Sequence, residues 1–316
     1  MAVIDLHTNG GLRGVSCRNE PLARYTAWGI GGPADRYYRP ADVDDLAVFL
    51  ARLPEAEPVF WLGLGSNLLV RDGGIAGTVI HLANTLGGIE QTEDHGLFLR
   101  AGVPCPKAAR VAVRRGLSGC EFFAGIPGTV GGALAMNAGA FGGETWDIVR
   151  KVETIDRRGW RHTRHPNEFQ VGYRSVRGTQ YEWFVGAELV LRPDEDGAAA
   201  ERVRALLKRR SDSQPLKSRS CGSVFRNPPG DHAARLIEAC GLKGEREGDA
   251  VVSPKHANFI INENKASAAQ IEALMHRVMD TVERVYGLRL EPEVQIVGRY
   301  GGRRDAPAAH GPGAGA

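Results

Sequence analysis

Two glycine-dense runs constrain this chain more than any other feature. The first, Gly63-Leu64-Gly65-Ser66-Asn67-Leu68-Leu69-Val70, follows an apolar stretch, Val59–Leu62, that reads as a strand. The second, Gly125-Ile126-Pro127-Gly128-Thr129-Val130-Gly131-Gly132-Ala133, belongs to an apolar and glycine run continuing to Ala140. Glycine permits positive φ and a close approach of backbone to a ligand. Successive backbone N–H groups in such turns form a concave anion site. Ser66, Asn67 and Thr129 add short side-chain donors. The residues alone leave two readings open: phosphate cradles, or tight turns without a ligand.

Neither run is a familiar nucleotide motif. The first has Leu68 where a dinucleotide fingerprint needs glycine, and Arg71-Asp72-Gly73-Gly74 reads as a turn where a helix should begin. The second lacks the Lys-Ser/Thr ending of an ATP-binding P-loop.

Composition narrows the classes further. With 316 residues, 42% of them hydrophobic and 24% charged, the chain can bury a core in two or three domains. A net charge of +3 does not suggest a nucleic-acid partner. The first residues lack a basic segment followed by an apolar run, and Phe122–Met136 is too short and too broken by Gly and Pro to span a bilayer. Five cysteines at wide spacing, without a C-x-x-C pair, fit reduced thiols in a cytoplasm, and nine scattered histidines offer no zinc motif.

Periodicity predicts helices over Ala41–Leu53, Pro106–Arg115 and 200–210, one from Asp231 to Cys240 capped by Asp231, and one after Ser267. The last carries a Ser267/Gln270 capping box, places Ile271, Leu274, Met275, Val278, Val282 and Val285 on one face, and ends at Gly287. Strands are expected at Thr78–Leu82, Leu97–Ala101, Phe184–Leu191, Ala257–Ile261 and Glu293–Val297, with a hairpin turn at Arg157-Arg158-Gly159. Ser211–Ser220, polar and holding Pro215, reads as a linker, and the Ala/Gly/Pro-rich tail from Arg303 as disordered.

The ordered motifs resemble the UDP-N-acetylenolpyruvoylglucosamine reductase family. Gly63–Val70 is similar to its first flavin loop, and 124–132, continuing through Met136-Asn137-Ala138-Gly139-Ala140-Phe141-Gly142, to its second. Gly172-Tyr173-Arg174-Ser175 resembles its arginine motif, 222–228 its proton-donor motif, and Leu290–Gly298 its C-terminal glutamate motif. Leu236-Ile237-Glu238, Gly241–Gly244 and Ser253–Asn262 match in between, so the likeness runs from about residue 22 to 298. The Cys221-Gly222-Ser223-Val224-Phe225 wording looks like the shorter subtype. Two departures stand out: Gly248-Asp249 where two glycines are expected, and Ala233-Ala234-Arg235 where a glycine-containing variant is usual.

The resemblance implies an α+β fold, with a two-part FAD-binding region of the vanillyl-alcohol-oxidase type and a C-terminal α+β substrate-binding domain. The implied units are 1–88 and 89–212 for FAD, 213–300 for substrate, and a tail over 301–316. It implies FAD held by Gly63, Gly65, Ser66, Asn67, Leu68, Gly125, Ile126, Pro127, Gly128, Thr129, Gly131 and Gly132. NADPH would reduce the flavin and leave, and a hydride from N5 would then reach the vinyl carbon of a UDP-linked enolpyruvyl ether. A developing enolate needs fixed donors and a proton. Arg174 and Glu293 would stabilise it and Ser223 would protonate it. Tyr173, Arg226, Asn227, Lys255 and His256 are the implied substrate contacts. The run Lys208-Arg209-Arg210 could attract an anionic substrate, although an exposed helix end is the plainer reading. The implied protein is cytoplasmic, takes no nucleic-acid partner, does not insert into a membrane, and is plausibly monomeric. Two other functions fit the same loops: a different flavin oxidoreductase, such as an alcohol or sugar oxidase, and a nucleotide-binding module without turnover.

Overall fold

The computed structural model describes the backbone of residues 3–4 and the whole of residues 11–301. The tail expected from Arg303 lies outside the described residues.

The N-terminal layer is a mixed five-stranded sheet in the order Val3–Ile4, Val15–Pro21, Pro33–Arg39, Ile75–His81 and Val59–Leu62. The first two pairings are antiparallel, and the last two are parallel. Helix α1, Val43–Arg52, begins where Asp42 accepts the Asp45 N–H at 2.9 Å. Its Leu46, Phe49 and Leu50 are buried, and Phe49 stacks on Tyr38 with ring centroids 3.6 Å apart. The first glycine run starts directly after the Val59–Leu62 strand, at the carboxyl end of a parallel pair. Crevices beyond such strand ends are where open sheets bind ligands.

A second five-stranded sheet is wholly antiparallel, in the order Arg161–Arg164, Val149–Asp156, Glu182–Leu189, Leu97–Arg100 and Ile89–Gln91. The expected turn at 157–159 joins its first two strands, with Gly159 at φ +81°. Helix α2, Cys105–Arg114, has Pro106 in its first turn, where a missing N–H costs nothing. Helix α3, Val130–Met136, forms inside the second glycine run, which sequence patterning reads only as a loop. It starts where the Thr129 hydroxyl accepts the Gly132 N–H at 3.3 Å. Burial of Val130, Ala133 and Leu134 outweighs the cost of two helical glycines. Helix α4, Ala199–Ser213, runs three residues into the expected linker.

The C-terminal unit pairs Arg246–Glu247, Ala250–Val252 and Ile260–Asn262 in an antiparallel sheet beneath α5, Ala233–Ala239, and α6, Ala268–Tyr286. The capping box forms as expected, and Asp72 also accepts the Ala268 and Ala269 N–H groups at 3.0 Å each. Val285, expected on the buried face, is 55% exposed, because the helix has by then run past the core. Asp231 does not cap α5: its carboxylate accepts the His232 N–H, and Asn227 accepts the Ala233 N–H at 3.1 Å. The last two strands are shorter than expected, starting at Ile260 and Gln295. Both departures from the family wording take structural roles. Ala233 is buried at the start of α5, and Asp249 accepts the Lys265 N–H at 3.1 Å.

The layers are tied by contacts distant in sequence. Trp28, fully buried, donates Nε1–H to the Ile260 carbonyl at 2.8 Å, and Asn262 returns a bond to the Trp28 carbonyl at 2.9 Å. Arg71 meets Glu272 at 2.8 Å. The Gln295–Val297 strand pairs in parallel with Leu68–Val70, the segment that ends the first glycine run.

Candidate functional site

The three layers meet at a cavity of about 520 Å³. Both glycine runs line it on one side, and Arg174, Ser223 and Glu293 line it from three separate parts of the chain.

The glycines of the loops divide by role. A Cβ on Gly65, at φ +58°, would stand 2.0 Å from the Tyr25 carbonyl, and one on Gly63 would stand 2.6 Å from the Thr129 hydroxyl. These two glycines let the loops fold against their neighbours. At Gly128 the nearest protein atom would be the Ser66 hydroxyl at 3.5 Å, and at Gly132 the Thr129 hydroxyl at 3.6 Å. Bareness there keeps the cavity wall open. Gly131 does not line the cavity; it faces Ala101, whose Cβ would lie 2.9 Å away, and it closes α3 onto the second sheet. Every other expected flavin contact lines it. Among the described residues, the amides of Leu64 to Asn67 donate to no protein acceptor. Unclaimed amides in a glycine cradle suit the diphosphate of a dinucleotide such as FAD.

His81 supports the first loop from below. Its Nδ1 and the Tyr37 hydroxyl share a hydrogen bond at 2.6 Å, and the Gly63 backbone faces the ring. Burial pushes the imidazole down to about 4, against the opposing pull of the Gly63 backbone.

Arg174 sits at the second central position of a two-residue hairpin turn between Gln170–Gly172 and Ser175–Arg177. Its φ is +52°, a region that costs a non-glycine residue about 1 kcal/mol or more. Its Nε donates to Glu293 Oε1 at 2.8 Å, and its terminal nitrogens donate to the carbonyls of Asn137 (3.3 Å) and Gly139 (3.1 Å). Both side chains of the pair are about one-sixth exposed, at 16% and 15%. Asn137 is the residue that sequence patterning undervalues. It caps α3 at φ +44°, is 1% exposed, and donates to Glu144 at 2.8 Å and to the Gly172 carbonyl at 3.2 Å. The buried Asn137 carboxamide therefore holds the turn, while the backbone carbonyl of the same residue holds the guanidinium. The signal in the sequence was an asparagine closing a glycine-rich run, a left-handed C-cap.

Ser223 follows Gly222, which has φ +84°, and its hydroxyl has no partner among the described residues. The next residue fixes its place. Val224 donates N–H to the Asn258 carbonyl at 2.9 Å and accepts the Glu293 N–H at 2.8 Å. Asn258 also clasps Phe225 through both its N–H and its carbonyl. Asn67 donates to the Glu293 carbonyl at 2.9 Å, tying the first loop to the segment just ahead of the last strand. Cys221 is a buried thiol, pushed well up first by burial and then by the Glu293 charge.

The expected substrate contacts lie outside the cavity lining. Tyr173 is 47% exposed, with the Arg174 guanidinium 4.9 Å from its ring centroid. Arg226 backs Arg174, donating to its carbonyl at 3.4 Å. Asn227 caps α5 as described. Lys255 donates to the Ser211 carbonyl at 2.6 Å, and His256 packs edge-on against Phe259, its pKa lowered mainly by burial. Among the described residues no cluster of His, Cys, Asp and Glu could hold a metal ion, and no helix is long and apolar enough to cross a membrane. All five cysteines are free thiols.

Comparison with known proteins agrees with this architecture. Residues 34–163 match the model of an FAD binding domain, and 214–297 match the C-terminal domain of UDP-N-acetylenolpyruvoylglucosamine reductase. The chain is thus a flavoprotein reductase with FAD as its cofactor. It resembles the reductase of that name from Alkalilimnicola ehrlichii, at 60% identity over 88% of this chain and 93% of the relative. The Methylococcus capsulatus reductase is 58% identical over 90% of this chain and 94% of the relative. The crystal structure of the Thermus caldophilus reductase (MurB) superposes with a TM-score of 0.78 at 35% identity, covering 90% of this chain and 98% of that one. This chain belongs to the UDP-N-acetylenolpyruvoylglucosamine reductase family.

Proposed function

We propose that this chain reduces UDP-N-acetylenolpyruvoylglucosamine to UDP-N-acetylmuramate, a step of peptidoglycan precursor synthesis, with NADPH as the reductant. The reading is supported above all by one observation: Arg174, Ser223 and Glu293 share one cavity with both glycine loops. Bound FAD supplies the hydride for the vinyl carbon.

The chain's own residues manage charge and a proton. Gly65, Ser66, Asn67 and Gly128 hold the dinucleotide through backbone amides and short side chains. Hydride addition pushes charge into the enolpyruvyl carboxylate. The permanently charged Arg174, locked by Glu293 and two carbonyls, meets that charge without reorganising. The partnerless Ser223 hydroxyl gives its proton to the α-carbon, since a carbanionic dianion is a base strong enough to take it. Glu293 orients Arg174 and steadies the enol form. Tyr173 and Arg226 flank the arginine turn and make the outer substrate contacts. Lys255 and His256 lie further out, and we assign the substrate domain to 213–300 on the same reasoning.

The test is the visible spectrum of purified protein. Flavin bands that NADPH bleaches and the enolpyruvyl sugar nucleotide restores are expected. Fast reoxidation by oxygen with no response to that substrate would favour an oxidase instead.

A further inference from the structure

Helix α4 carries five cations along its length, and they do not share one environment. Arg202 is wrapped by Glu121, Asp194 and Asp196, Arg204 pairs with Glu201, and Lys208 pairs with Asp212 at 2.8 Å. Arg209 and Arg210 line the cavity, and among the described residues neither has a carboxylate partner. Arg209 reaches only the face of Phe141, 5.9 Å from the ring centroid. Arg210 is partly buried, and its one bond runs from Nε to the Gln214 side chain at 3.0 Å, leaving its terminal nitrogens without an acceptor.

A guanidinium in the last turn of a helix complements the helix dipole, which accounts for a basic residue at this place. It does not account for a cation giving up water without a counter-charge. That is costly unless an anion arrives. Burial alone pushes the Arg210 guanidinium down, with no acidic neighbour to restore it. Arginine's planar fork matches phosphate oxygens two at a time.

We propose that Arg209 and Arg210 form a diphosphate-binding pair in the cleft. The assignment rests on the function proposed above, which brings two diphosphates to this cavity, one in FAD and one in the UDP-linked substrate. Both present the same chemistry, and the experiment separates them.

Two measurements on the purified holoprotein suffice: the rate at which FAD is released on dilution, followed by flavin fluorescence, and the affinity for UDP, titrated by perturbation of the flavin spectrum. Arg210→Met should weaken one of them by about tenfold or more, the loss expected for a charge-assisted hydrogen bond. Arg210→Lys should lose less, because the charge stays while the fork is lost, and it serves if the Met variant does not fold. Arg209→Gln should weaken the same ligand. Arg204→Gln, on the same helix but away from the cavity, should change neither. Faster FAD release assigns the pair to the cofactor, and weaker UDP binding assigns it to the substrate. Both constants within twofold of wild type in the Arg210 variants would overturn the assignment. A wild-type protein binding neither FAD nor UDP would overturn the underlying reading along with it.

Discussion

Arg174 donates Nε–H to Glu293 Oε1 across 2.8 Å, joining a hairpin turn to a carboxylate 119 residues further along the chain. The pair is held from behind as well, since the carbonyls of Asn137 and Gly139 each take one donor from a terminal nitrogen, and the other N–H of each stays free for a ligand. The guanidinium is therefore fixed before any substrate arrives. Preorganised charge of this kind is what a developing oxyanion requires.

Arg174→Ala should lower turnover with the enolpyruvyl substrate by about 10²–10³-fold, the usual cost of losing one preorganised donor. Arg174→Lys should recover only part, because an ammonium cannot hold Glu293 and a carboxylate in one planar geometry. Steady-state kinetics checks both, and unchanged turnover in the alanine variant would remove Arg174 from the mechanism.

Ser223→Ala should split the reaction by step. Flavin reduction by NADPH stays near wild type, and reoxidation by substrate slows about 10²–10⁴-fold, the span of a lost general acid. Stopped-flow absorbance resolves the two phases. Equal loss in both would mean that the hydroxyl is not the proton donor.

Gly65 and Gly128 should fail in different ways. Gly65→Ala forces a left-handed residue against the Tyr25 carbonyl, so it should cost about 1–3 kcal/mol or more of stability and lower the melting temperature of the flavin-free protein. Gly128→Ala meets no protein atom closer than 3.5 Å, so the flavin-free protein should melt normally yet purify with less FAD. Thermal scans with and without added FAD decide the matter. Matching behaviour in the two variants would contradict the division of roles.

His81 should set part of the acid limit of stability. Its folded pKa, about 4, lies below the ordinary 6.5, so the unfolded chain binds more protons between those values. The stabilisation is complete above about pH 6.5 and is lost as the pH falls toward 4, a drop of about 3 kcal/mol. Urea unfolding from pH 7 to 4 should show a shallower decline in His81→Gln. Parallel curves for wild type and variant would exclude the role.

Much of the fold could be read in the sequence where local chemistry decides it. The capping box at Ser267 and Gln270, the proline opening α2 and the hairpin at Gly159 are set by residues within a turn of one another. Helix α3 escaped because its two glycines argue against a helix, and only tertiary burial of Val130, Ala133 and Leu134 reverses that. Asp231 looked like a cap, but a residue from the preceding loop, Asn227, takes the α5 amide. Resemblance singled out Arg174, Ser223 and Glu293, and the fold brings those three to one cavity. What patterning could not reach were the supports, Asn137 behind Arg174 and Asn258 behind Ser223, since their roles depend on groups remote in sequence.

The parallel pairing of Gln295–Val297 with Leu68–Val70 bears on how the enzyme is born. Synthesis runs from the amino end, and domains tend to fold as they emerge. The first glycine loop and its sheet can form early, but Glu293, whose carbonyl Asn67 holds, follows Asn67 by 226 residues. A chain halted before Glu293 would carry the cofactor loops without the carboxylate that bonds Arg174, and under the proposed mechanism it would lack chemical competence.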